Sequence, residues 1–326
     1  MKILKSTWLS VVLGLFVISA ALSAQINEFK ISASDGAPAE YFGNAVSISG
    51  DYAIVGAYSD HDNGINSGSA YIFKRSGNSW VEEAKLLASN GVVDDLFGFS
   101  VSISGDYAIV GAYSDGDNGF NSGSAYVFKR SGSSWVEEAK LLASDGAQYD
   151  YFGYSVSISG DYVALGAAGH SENGSVYIFK RSGSSWVEEE ILLASDGAAN
   201  QGFGRSVSIS GDYTIVGAAG DDDNGSGSGS AYVFKRSGSS WVEEAKLLAS
   251  DGATNDGFGK SVSISGDYAV LAARGLDDNS LVYIFKRIGS SWVEGAKLLA
   301  SDGSAYDYFG YSVSISGDYV VVGAYK

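Results

Sequence analysis

The chain alternates. From Ser100 to Ser104 it reads SVSIS, small polar and β-branched residues in turn, the period of a strand with two unlike faces. Gly105-Asp106 is a tight-turn pair, and AIVGAY over Ala108 to Tyr113 predicts a second strand, so the two form a hairpin. An acidic, glycine-rich loop leads to SAYVFKR, Ser124 to Arg130, which alternates again. The turn SGSS then opens into WVEEAKLLA, Trp135 to Ala143. Four strands and three connections fill one unit, and no stretch in it carries a helical period. Glu137, Glu138 and Lys140 suit an outermost strand, because charge blunts an exposed edge.

The unit recurs. Phe-Gly stands at Phe42, Phe97, Phe152, Phe203, Phe258 and Phe309, at spacings of 55, 55, 51, 55 and 51 residues. A fixed period of this size means a repeat architecture. Four-stranded units repeated radially are propeller blades, whose outer strand crosses back to begin the next blade at the axis. Here the crossing is SDGAQYDYFG, Ser144 to Gly153. The expected fold class is all-β, a β-propeller of four-stranded antiparallel blades with five complete units and an incomplete sixth made from the two termini. INEFKISASDGA, Ile26 to Ala37, aligns with VEEAKLLASDGA, Val136 to Ala147, so an isolated fourth strand opens the repeat region at Ile26 to Ala33. Phe309 to Tyr325 supplies first and second strands, with no counterpart of the third. Either the ring closes on a defective blade, or the chain is part of a longer propeller; the break in mid-unit favours the second.

The Phe-Gly start and the later Val110-Gly111-Ala112 resemble the FG-GAP repeat of integrin α-subunit head propellers, and most closely that of bacterial FG-GAP repeat proteins. The likeness runs over residues 26–326. Two departures stand out. The proline of the GAP motif is absent throughout, its place taken by Tyr58, Tyr113, Ala168, Ala219, Arg274 and Tyr325. The fifth unit loses the glycine as well, reading Leu271-Ala272-Ala273.

Composition narrows the function. With no cysteine there is neither a disulfide framework nor a thiol nucleophile. Residues 1–24 read as a secretory signal: Lys2 and Lys5 at the start, an apolar centre from Trp8 to Ile18, and small residues up to Ala24. Residues 25–326 are then the exported propeller, secreted or at the cell surface, with a periplasmic location as the alternative. Removing Lys2 and Lys5 takes the formal charge from −17 to −19, which excludes nucleic acid and anionic membrane surfaces as partners. No membrane insertion is expected after signal removal.

In such blades the two kinds of loop fall at opposite ends. One end carries the SGD turns and five Lys-Arg pairs, such as Lys74-Arg75 and Lys129-Arg130, and is expected to be basic. The other carries the loops between second and third strands, where the units differ most, together with the crossings. Variation on a constant scaffold marks a binding face. Its candidate residues are Tyr58, Asp60, Asp62, Tyr113, Asp115, Asp117, Phe120, Asp221 and Asp223, facing an extracellular protein or glycan. The bland reading, turn residues and ring packing, applies to each residue singly.

No cofactor is expected, with calcium as the weaker alternative. The resemblance implies a D-x-D-x-D-G-x-x-D calcium loop between the Phe-Gly and Gly-Ala strands, but here that loop is cut to Ser-Gly-Asp-Tyr, as at Ser104 to Tyr107, too few oxygens for a calcium ion. The later Asp-x-Asp-Asn-Gly loops offer Asp60, Asp62, Asp115, Asp117, Asp221 and Asp223 as the alternative calcium positions. Catalysis has no constellation: His61 and His170 occupy non-equivalent loop positions, and the carboxylates recur alike in every unit, whereas an active site breaks symmetry. The expected function is therefore a non-enzymatic binding or adhesion module; the alternatives are a structural surface protein without a specific ligand and a propeller enzyme acting on extracellular glycans.

Overall fold

A computed structural model describes residues 2–5, 30–273, 280–301 and 307–324. It contains five four-stranded antiparallel sheets, each joined in simple sequence order. The second blade is representative: Ser100–Ser104, Tyr107–Ala112, Ser124–Ser131 and Ser134–Leu141. The expected strands and their order are thus present. The first strands of successive sheets pack against one another from the first sheet to the sixth, which makes the arrangement propeller-like.

The core lies between the blades. Ile54, Ile72 and Leu86 of the first blade meet Val101, Ile103, Val110 and Tyr126 of the second in one buried cluster. Equivalent clusters fill the next junctions. This follows from the alternation: each sheet buries both faces, so the middle strands read as nearly continuous apolar runs. The repeated Phe plugs each junction; Phe97, Phe152, Phe203 and Phe258 are almost completely buried.

The motif glycines set the closeness of the blades. A Cβ on Gly56 would stand 1.9 Å from the carbonyl oxygen of Gly98, and one on Gly111 would stand 2.1 Å from that of Gly153. In the fifth blade the equivalent position is Ala272, and its methyl faces the following Gly310. The lost glycine of the fifth unit therefore falls at the junction with the incomplete sixth sheet.

Each fourth strand carries a bulge. In the second blade Val127 pairs with Ala139 and Phe128 with Glu137, leaving Glu138 as the extra residue. The bulge turns this glutamate toward solvent-poor space, where it faces Lys129. Neighbouring Glu137 clasps the preceding crossing, accepting from the backbone N–H and hydroxyl of Ser89 at 2.9 and 2.8 Å. The same clasp joins Ser34 to Glu82, Ser144 to Glu188, Ser195 to Glu243 and Ser250 to Glu294.

The sixth sheet draws on both ends of the full chain, but not with the expected segment, and its N-terminal strand lies within the residues that the expected signal cleavage would remove. Ser312–Ser316 and Tyr319–Gly323 form its hairpin, and Lys2–Lys5 pairs antiparallel with Tyr319–Gly323 where a third strand would lie. An open strand edge is a template for any extended segment. Residues 26–29 lie outside the described residues, and 30–33 form no strand. Instead Ile31 and Ala33 pack on Val55, Ala57, Tyr71 and Phe73 of the first blade. Val46 and Ile48 of that blade stay 68% and 64% exposed, whereas their counterparts Val101 and Ile103 are buried. Nothing in the described chain covers that face as the other junctions are covered.

Candidate functional site

The loop between second and third strands begins with Asp60, Asp115 and Asp221 in the long-loop blades. The sequence places these acids on the binding face; the structure turns them inward. All three are 2% exposed or less. Asp115 accepts hydrogen bonds from the Asp117 backbone N–H, the Ser124 hydroxyl and the Tyr126 hydroxyl, each at 3.0 Å. Loops opening with Asp fold this way because the carboxylate caps the backbone two residues on.

The remaining partner of these acids is a lysine from the fourth strand. Lys85 Nζ lies 2.8 Å from Asp35, 2.9 Å from Asp60 and 2.7 Å from Asp62. Lys140 stands 2.7 Å from both Asp115 and Asp117. Lys246 is 2.7, 3.0 and 2.8 Å from Asp196, Asp221 and Asp223. Each ammonium also sits over a buried tyrosine ring, 5.1–5.2 Å from its centroid. Burial opposes ionisation of Asp60 and Asp115, yet the lysine hydrogen bonds outweigh it and hold both carboxyls below the usual carboxylate range. For Asp35 the bond from Lys85 is the leading cause of the same shift. The lysines lose hydration by burial, but their carboxylate partners push them above their ordinary value.

This arrangement bears on calcium. The candidate ligands Asp60, Asp62, Asp115, Asp117, Asp221 and Asp223 already surround a cation, the ammonium, at contact distance. A calcium ion would need six to eight oxygens in the same space. The residues do not fit the metal while the lysine is present, and among the described residues no group of three or more His, Cys, Asp or Glu could hold one.

The opposite end is not basic, contrary to the expectation. Arg75, Arg130, Arg181, Arg236 and Arg287 each bind the aspartate of their own first turn, Asp51, Asp106, Asp161, Asp212 and Asp267. Lys74 faces Glu83 at 3.7 Å, and Lys129 faces Glu138 at 3.5 Å. Both ends mix signs, because the repeat supplies an acid for each base in the same blade.

The aromatic candidates form a connected array. Tyr41 stacks on Tyr58 at 4.9 Å, Tyr58 meets Phe99 at 5.6 Å, and Phe99 meets Tyr113 at 4.5 Å. Tyr113 continues to Tyr154 and Tyr151 at 5.4 and 5.9 Å. Tyr151 reaches Tyr149 at 6.3 Å, and Tyr149 reaches Phe120 at 5.6 Å. The array crosses the first three units and then stops: Ala219 and Arg205 stand where Tyr113 and Tyr154 stand in earlier repeats. Tyr41, Phe120 and Tyr149 are 58%, 63% and 49% exposed at its edges. Of these rings the sequence places Tyr58, Tyr113, Phe120, Tyr149 and Tyr151 at this end, with the first three as candidate ligand residues. Phe99 and Tyr154 lie just after Phe-Gly, a position with no fixed character, where the other units carry Asn44, Arg205, Lys260 and Tyr311.

Three of the rings sit on left-handed backbone: Tyr41 at φ +55°, Tyr149 at +70° and Tyr151 at +57°. The conformation belongs to the crossing, since the same two positions are also left-handed where they hold Ala39, Asp94 and Leu96 in earlier crossings and Asn200, Gly202, Asn255 and Gly257 in later ones.

Blade three departs from its neighbours. Ile191 replaces the lysine, and the loop is four residues shorter. His170 enters instead: its Nδ1 is 2.6 Å from the Ser175 hydroxyl, and its Nε2 is 3.4 Å from Asp145. Ser175 is completely buried and has counterparts in Ser69, Ser124 and Ser230, so this Ser-His-Asp line is a structural bond and not a nucleophilic site. His61 accepts the Asn66 backbone N–H in its own turn.

Comparison with curated proteins finds no match. The FG-GAP repeat family, by contrast, matches six successive segments: residues 26–73, 80–128, 135–179, 186–234, 241–285 and 292–326. Repeats of this family are typical of extracellular binding and adhesion domains and are generally non-enzymatic. Six matched segments over most of the chain, the Phe-Gly plugs and the Gly-Ala contacts that seat them together make this chain a member of the FG-GAP repeat family.

Proposed function

We propose that this protein is an exported, non-enzymatic binding module, and that the aromatic array of its first three blades is the surface that meets a protein or glycan ligand. The observation that carries the reading is the array itself: rings from three successive units meet in one chain of contacts, and Tyr41, Phe120 and Tyr149 at its edges are 58%, 63% and 49% exposed. Tyrosines of this kind offer rigid, amphipathic contact area at low entropic cost. Asp62 and Asp117, each about half exposed in its side chain and paired with its lysine, lie on the same loops as Tyr58 and Phe120.

Export rests on the basic start, apolar centre and small-residue end of residues 1–24. No helix among the described residues is long and apolar enough to cross a membrane.

The test is a binding screen of the protein against extracellular glycans and surface proteins, repeated with the Phe120→Ala/Tyr149→Ala double variant. We expect at least one ligand retained by the wild type and weakened about tenfold or more in the variant, as loss of stacked aromatic contacts implies. Equal binding by the variant would move the ligand surface elsewhere, and turnover of a retained glycan would favour the enzyme alternative.

A further inference from the structure

We infer that the loop end of blade three holds a receptor for a primary alkylammonium, the side chain of a lysine on a partner protein. The argument comes from the repeats themselves. In four blades the fourth strand sends a lysine to the crossing loop: Lys85, Lys140, Lys246 and Lys297. Where the crossing residue is aspartate, the ammonium lies on it, at 2.8 Å for Asp35 and 2.7 Å for Asp196 and Asp251. Each of these aspartates also accepts the hydroxyl of a buried tyrosine. Blade three keeps the receptor and lacks the ammonium. Asp145 accepts the Tyr177 hydroxyl at 2.7 Å, just as the others do, but position 191 is isoleucine.

The space the lysine and the four missing loop residues would fill is a cavity of about 270 Å³. Its walls include Asp145, His170, Asn173, Ile191, Leu193 and Phe203. His170 meets Tyr177 edgewise, 5.8 Å between ring centres, at the ring whose counterparts carry a lysine in other blades. It satisfies Asp145 less closely than an ammonium does: 3.4 Å against 2.7–2.8 Å. The Asp145 carboxylate lines the cavity and is 48% exposed, as its lysine-bound counterpart Asp35 is. An incoming ammonium would donate to that carboxylate, and its four-carbon stem would lie along Ile191 and Leu193. A charged head and an apolar stem together describe a lysine side chain better than a metal ion or a neutral sugar. The inference shares no residue with the aromatic array and does not depend on it.

The test is titration of the whole protein with N-acetyl-lysine N-methylamide, followed by NMR. The neutral isostere N-acetyl-norleucine N-methylamide is the control. A probe of this size should bind at about millimolar Kd. The Ile191→Lys variant restores the lysine of the other blades and should fold at least as well as the parent. It and Asp145→Asn should each weaken the lysine probe about tenfold or more, while Tyr149→Ala should leave it unchanged. Absence of saturable binding up to about 50 times the expected Kd would overturn the inference. So would equal affinity for the norleucine probe, or undiminished binding by Ile191→Lys.

Discussion

Gly111 and Gly153 touch across the second blade junction, so closely that a methyl on the first would sit 2.1 Å from the carbonyl oxygen of the second. No real Cβ tolerates that approach to backbone, and the Ser100 hydroxyl, 2.3 Å away, closes the other side. Gly111→Ala must therefore push two blades apart. Chemical denaturation should show a loss of about 3 kcal/mol or more, in the range of severe overpacking. A loss under about 1 kcal/mol would mean that the blades slide freely and that the contact is incidental.

Lys140 is the internal counter-ion of the second blade. Lys140→Met removes the charge and keeps the stem, leaving Asp115 buried beside Asp117 without its cation. Breaking one side of a buried pair costs about 3–5 kcal/mol. Urea unfolding of the variant should show a drop of this order. In the parent protein, millimolar calcium and a chelator should both leave Tm unchanged, because bound ligand would raise it by mass action. A chelator-sensitive Tm would show that metal displaces the lysine.

Acid should unfold the protein by way of the same acids. Asp35, Asp60, Asp115, Asp196 and Asp251 are all held below the ordinary value of 3.8. A depressed carboxyl contributes stability that is present above its unfolded value and lost as pH falls through its folded one. The Tm should hold down to about pH 4 and drop steeply below it. A gradual fall beginning near neutrality would contradict this assignment.

Asp95 behaves oppositely. Burial pushes its carboxyl up to about 6, opposed by the hydrogen bond from the Val92 N–H. A raised carboxyl makes its ionised form a burden on the fold, so this residue costs stability as pH rises from about 4 to 6 and beyond. Gln201 already fills the equivalent place in a later crossing, accepting from the Ala198 N–H at 2.9 Å. Asp95→Asn should raise stability at pH 7 by roughly 1–2 kcal/mol and change it little at pH 4. A gain of equal size at both pH values would show that the charge is not its cause.

Tyr149→Asn should separate stability from binding. The substitution puts a residue suited to φ +70° where tyrosine now sits, and removes the ring contact with Phe120. The two effects are similar in size, about 1 kcal/mol each, so Tm should stay level or rise slightly. Ligand retention should fall. A large loss of stability would make the ring a structural element and weaken the case for a binding surface.

Much of the blade was legible because its signals are local. The alternation of SVSIS, the Gly-Asp turn and the Phe-Gly spacing each act within a few residues or repeat at a fixed period. The partnership of Lys140 with Asp115 was not legible. The two are 25 residues apart and meet only through the third and fourth strands, whose register is shifted by the bulge at Glu138. Asp115 therefore looked like a surface acid. Arg130 likewise looked like free basic charge until the second and third strands brought it to Asp106. The aromatic array draws its rings from three units, so no single repeat displays it. The sixth sheet offered Ile26 to Ala33 by alignment, yet in the full chain, signal segment included, the open edge of Tyr319–Gly323 took Lys2–Lys5. Edge pairing depends on backbone availability as much as on sequence likeness.

The lysine at the centre of each acidic loop differs from a bound ion in one respect: it cannot diffuse away. Its effective concentration is fixed by the strand that carries it, so dilution, chelation and scarcity of divalent ions in the surrounding medium do not empty the site. The vulnerability moves from supply to covalent chemistry. Acetylation or carbamylation of Lys85, Lys140 or Lys246 would strip the charge while leaving the stem in place, and would do so permanently in a protein with no means of exchange. For such a chain, amine-modifying conditions should inactivate what calcium depletion leaves intact.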